Sequence, residues 1–111
     1  MDQLMRPRSK VKTALQSVID RVIGDSEKRL YFQPPSGTHL VYPCIIYKLS
    51  NIQTVYADNG KFINSMLYTV TVIDRDPDSS LRDAVYELPY CRFDRTYVSN
   101  NLYHYVFEIY S

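Results

Sequence analysis

Asn59-Gly60 sits between two β-rich runs, and both residue types tolerate the positive φ that a tight reversal needs. The run before it starts at Tyr42-Pro43-Cys44-Ile45-Ile46-Tyr47-Lys48-Leu49. The run after it is Met66-Leu67-Tyr68-Thr69-Val70-Thr71-Val72-Ile73-Asp74. The pattern predicts a long hairpin turning at Asp58-Asn59-Gly60. The first strand starts near Val41 and reaches Ala57, with a bend near Ser50-Asn51. Two-residue alternation puts Ile45, Tyr47 and Leu49 on one face, and Met66, Tyr68, Val70 and Val72 on the more apolar face of the return strand.

The flanking segments supply the layer that covers such a hairpin. Val11, Ala14, Leu15, Val18, Ile19, Val22 and Ile23 recur at helical spacing, which predicts an amphipathic helix over about residues 9–23, capped at Ser9 and ended by Gly24. Residues 1–8 read as a flexible basic arm, and 9–111 as a single domain. Leu30-Tyr31-Phe32-Gln33, halted by Pro34-Pro35, reads as a short edge strand before a loop. Leu81, Ala84, Val85 and Leu88 form a second helical stripe, stopped by Pro89 and introduced by Asp76-Pro77-Asp78, which reads as an aspartate cap followed by a first-turn proline. Cys91–Val98 and Leu102–Tyr110 flank Ser99-Asn100-Asn101 as a closing hairpin, with Tyr103, Tyr105, Phe107 and Ile109 on one face. The fold class is α+β, in the order α-β-β-β-α-β-β. An antiparallel sheet packs against the N-terminal helix and the short second helix, and the long hairpin projects beyond the core.

A chain of 111 residues buries a thin core, so association with copies of itself is a natural way to cover apolar rims. The net charge of +1 argues against general attraction to nucleic acid, yet it hides a local bias. Arg6, Arg8, Lys10 and Lys12 crowd the start, whereas Asp74, Asp76, Asp78, Asp83 and Glu87 crowd residues 74–87. Opposed patches of this kind can steer like molecules head to tail, although plain solvated surface charge is the commoner meaning. Eleven tyrosines and no tryptophan suit half-buried faces and protein contacts whose polar tips stay wet. No run approaches the length of a membrane-spanning helix.

Candidate chemistry is sparse. His39, His104, Cys44 and Cys91 lack metal-site spacing, and the three glycines form no phosphate loop. Cys44 and Cys91 read as reduced, packed thiols. Cys91 and His104 could meet across the last hairpin, but nothing nearby activates the thiol. Asp74, Asp76 and Asp78 lack the glycine and distal glutamate of a calcium loop. No catalytic residue, cofactor or metal is assigned. A nucleic-acid adaptor remains an alternative, resting on the basic arm and on Tyr103, Tyr105 and Phe107 as a stacking platform.

The N-terminal amphipathic helix, the Tyr42-Pro43-Cys44-Ile45-Ile46-Tyr47 strand entry, the hairpin ending in Val72-Ile73-Asp74, and the helix and hairpin that follow resemble the tail terminator, or tail completion, proteins of long-tailed bacteriophages. The resemblance covers most of residues 9–110 and consists of element order, size and strand pattern; Cys44 stands where another apolar or aromatic residue is common. It implies a non-enzymatic virion protein, assembled in the host cytoplasm and placed at the tail-head junction. There it forms a homo-oligomeric ring, usually a hexamer, that caps the tail tube, ends its growth and meets the head-completion or connector protein while DNA passes through. A neighbouring neck ring protein is the nearest alternative. Candidate contact residues are Arg6, Arg8, His39, Leu40, Asp58, Asn59, Gly60 and Lys61. Asp74, Asp76 and Asp78 are candidates for the lumen wall, where strong positive charge would retard DNA.

Overall fold

The computed structural model describes residues 7–56 and 62–110. Helix α1, Pro7–Val22, opens the chain. It starts two residues before the expected point because proline's fixed φ suits a first helical position, so Arg8 belongs to the helix and not to an arm. The expected terminator holds: Gly24 takes φ 84°, and its N–H, like that of Ile23, donates to the Ile19 carbonyl at 2.8 Å. A short helix not foreseen from the sequence, α2 (Ser26–Arg29), then leads into β1 (Leu30–Phe32).

The long hairpin is β2 (Cys44–Tyr56) and β3 (Phe62–Asp74), followed by α3 (Ser80–Tyr86), β4 (Cys91–Ser99) and β5 (Leu102–Tyr110). The five strands form one sheet in the order β1-β2-β3-β5-β4. The expected wholly antiparallel sheet is corrected at one edge. β1 pairs with β2 in parallel, Leu30 opposite Ile45 and Phe32 opposite Tyr47, because the 33–43 loop carries the chain back along the sheet before β2 begins. The expected bend in β2 is a register shift between Leu49 and Asn51. β5 opposes β3 from Leu67 to Asp74 only, so the ladder from Ile52–Tyr56 to Phe62–Met66 has no third strand among the described residues. The closing reversal is a two-residue turn with both asparagines at positive φ, Asn100 at 53° and Asn101 at 63°.

One face of the sheet carries both long helical stripes. Val11, Leu15, Val18 and Ile19 of α1 and Leu81, Ala84 and Val85 of α3 bury against Ile45, Tyr47, Tyr68, Val70, Val72, Tyr105, Phe107 and Ile109. These are the faces that the alternation selects. The cap of α3 differs from expectation. Ser79, fully buried, accepts the Arg82 backbone N–H at 3.1 Å. Asp74 and Asp76 instead close the turn ahead of the helix, accepting the N–H two residues on: Asp76 to Asp74 at 3.1 Å and Asp78 to Asp76 at 2.8 Å.

Candidate interaction surfaces

Three surfaces stand out once the sheet is assembled. The first is β4. It is an edge strand paired, among the described residues, with β5 alone, and every residue of it after Cys91 is exposed. Phe93 and Val98 keep large apolar groups in solvent on the helix-facing side of the strand and Tyr97 on the opposite side, while Tyr86 and Tyr90 are exposed on α3 and the turn after it. Tyr97 stacks on His104 at 4.6 Å, and Arg92 pairs with Glu108 at 2.6 Å. Beside Tyr90 lies an apolar groove of about 400 Å³ formed by Val11 and Ala14 of α1, Leu88, Pro89 and Ile109, with Lys10 at its rim. Exposed aromatic groups gathered like this mark protein contact more than solvation.

The second surface is a polar recess of about 480 Å³ between α1 and the β1 edge. Arg8 and Lys12 project from α1, one helical turn apart, and Phe32 and Tyr47 line the sheet side. The Arg8 guanidinium lies over the Phe32 ring, 4.9 Å from its centroid. Burial pushes the Tyr47 and Tyr68 hydroxyls above the usual tyrosine range, and the nearby charge of Arg8 opposes this in both.

The third is the acidic turn at the end of β3. Asp76 and Asp78 are exposed and Asp74 is half-buried. The turn is anchored from behind: the Tyr105 hydroxyl donates to the Pro77 carbonyl at 3.1 Å, and Arg82 donates to the same carbonyl at 2.9 Å while its guanidinium covers the Tyr105 ring.

Of the expected contact residues, Arg8 lies in the recess, His39 is exposed and Leu40 half-buried in the loop before β2. That loop is held where the Tyr31 hydroxyl accepts the Val41 N–H at 3.2 Å. Arg6, Asp58, Asn59, Gly60 and Lys61 lie outside the described residues. From the sequence, Lys12 stands out only as part of the basic start and Tyr47 only on a strand face, and the β4 edge is not singled out.

The other candidate chemistry changes in the fold. Cys91 opposes Ile109 and packs toward the helices, whereas His104 opposes Tyr97 on the other face, so these two do not meet across the hairpin. Both cysteines are free thiols, and burial pushes Cys44 up to about 12 and Cys91 up to about 11, away from thiolate reactivity. Tyr105 and Phe107 are 6% and 1% exposed, so neither ring offers a base-stacking face. No group of three or more metal-ligating side chains occurs among the described residues. No family model matches the chain, and no curated protein matches it.

Proposed function

We propose that this chain is a structural ring subunit of a long-tailed phage, which caps the tail tube, ends its polymerisation and offers the surface that joins tail to head. The observation that carries the reading is the β4 edge, whose two faces and preceding turn spend large apolar groups on solvent in a chain with a small core. Such surface is covered by another protein chain.

The arrangement also favours a closed ring over a two-fold dimer. The cationic recess and the acidic turn are unlike surfaces at separate places on one subunit. A contact between unlike surfaces repeats from copy to copy and closes when its rotation permits. Ending a polymer requires a subunit whose one side matches the tube and whose other side does not. The β2–β3 hairpin, carried beyond the third strand, suits the tube-facing or connector-facing role. Element order and the strand entry at Tyr42-Pro43-Cys44 add the phage resemblance to this physical reading.

Electron microscopy of the purified protein, alone and mixed with assembled tail tubes, tests the proposal. Rings seated on tube ends, with tube growth arrested, are expected. Rings that ignore tubes and bind the head connector would move the protein to the neck, and the absence of rings under both conditions would end the reading.

A further inference from the structure

We propose that the Arg8–Lys12 recess receives the acidic turn, Asp74 to Asp78, of a second copy of this chain, joining subunits head to tail. The inference rests on the ring reading above and names the contact that builds the ring.

The recess is charged and unsatisfied. The first turn of α1 carries no acidic residue, so the positive end of the helix adds to Arg8. Neither Arg8 nor Lys12 forms an ion pair among the described residues, and Arg8 rests on the Phe32 ring instead. Glu27, exposed at the rim, balances one of the two cations and leaves the other. Tyr47 lines the recess and its hydroxyl makes no hydrogen bond among the described residues; that oxygen is open to the recess, where an incoming carboxylate can accept from it.

The acidic turn supplies the acceptors. Asp74 and Asp76 each commit one carboxylate oxygen to a backbone N–H within the turn, which fixes the loop. No cation pairs with Asp74, Asp76 or Asp78 among the described residues: Arg75 sits over the Tyr42 ring and Arg82 pairs with Asp83. The two surfaces are also set apart within one chain. Tyr47 opposes Val70, and Asp74 lies four residues further along β3, about 13 Å away at the usual strand rise. Cations without anions and anions without cations, separated on one subunit, are complementary between two. The same contact takes Asp76 and Asp78 out of the lumen wall and into the joint between neighbours.

Sedimentation velocity of four proteins at matched concentration tests this: the native chain, R8E/K12E, D76K/D78K, and an equimolar mixture of the two reversed chains, each checked for folding by circular dichroism. Each reversed chain alone is expected to self-associate roughly tenfold or more weakly than the native chain, the native association to fall with added salt, and the mixture to recover. Native association that survives both reversals overturns the contact, and if electron microscopy still shows rings, the ring reading stands without it. A mixture that fails to recover also overturns it. Titration with inorganic phosphate separates a small-anion site: phosphate protection of the native chain against heat, lost in R8E/K12E while association is unchanged, assigns the recess to a free anion and overturns the proposal.

Discussion

Phe93 on the exposed edge strand meets Phe107 in the core edge-on, with ring centroids 5.5 Å apart and ring planes at 68°. The two oppose each other in the β4–β5 ladder, so one aromatic pair ties the most exposed strand to the most buried face. Their truncations should differ sharply. Phe107→Ala removes a fully buried ring and should cost about 3–5 kcal/mol, whereas Phe93→Ala, at a half-exposed ring, should cost about 1 kcal/mol, chiefly the aromatic pairing. Urea unfolding of both variants checks the ratio; equal losses would mean that β4 is buried in solution by another chain.

The start of α3 gives a second comparison. Ser79→Ala removes the buried acceptor of the Arg82 N–H and should lower stability by about 1 kcal/mol. Asp78→Ala leaves that cap untouched, and its carboxylate accepts no hydrogen bond among the described residues, so it should cost about 0.5 kcal/mol or less. Thermal melts of the two variants distinguish a serine cap from an aspartate cap.

Two tyrosines differ in what their hydroxyls do. Tyr105→Phe forfeits the bond to the Pro77 carbonyl and should cost about 1 kcal/mol. Tyr47→Phe removes a hydroxyl that makes no bond among the described residues, so the unassembled subunit should keep its stability to within about 0.5 kcal/mol. Chemical denaturation at a concentration where the chain is unassembled makes the measurement.

The thiols set an alkaline limit. Cys44 titrates near 12 in the fold because burial disfavours its charged form, against an ordinary value of 9.0. The folded state therefore holds its proton more tightly than the unfolded chain does. The stability this confers is complete below pH 9.0 and is lost as pH rises toward about 12. Cys91 acts in the same direction up to about 11. Cys44→Ala should flatten the alkaline loss seen in urea midpoints, and a thiol reagent at neutral pH should leave native Cys44 unmodified until the protein unfolds.

Much of this fold was legible because its main elements carry strong periodicities. The α1 stripe, its end at Gly24, the core faces of β2, β3 and β5 and the irregularity at Ser50 all follow from spacing and turn chemistry. α2 escaped because four polar residues have no period to read. The parallel pairing of β1 escaped because a three-residue strand does not specify its partner. The α3 cap was misplaced because Asp76-Pro77 carries the same local signals as Ser79; only burial separates them. The recess was legible by half. Arg8 and Lys12 stood out as charge, but Tyr47 sat on the core face of a strand, and only the packing of α1 over the sheet brings the three together.

The irregularity in β4, where the register slips between Phe93 and Arg95 and leaves Asp94 without an opposite residue, bears on how far such a molecule can multiply. An unbroken, straight edge invites another strand to zip onto it, and then another, without limit. A kinked margin carrying Arg92, Asp94 and Arg95 cannot be copied in register, which disfavours runaway fibres. A neighbour that docks at this edge would meet it through side chains at a set angle, and angles, unlike ladders, can close on a finite number of copies.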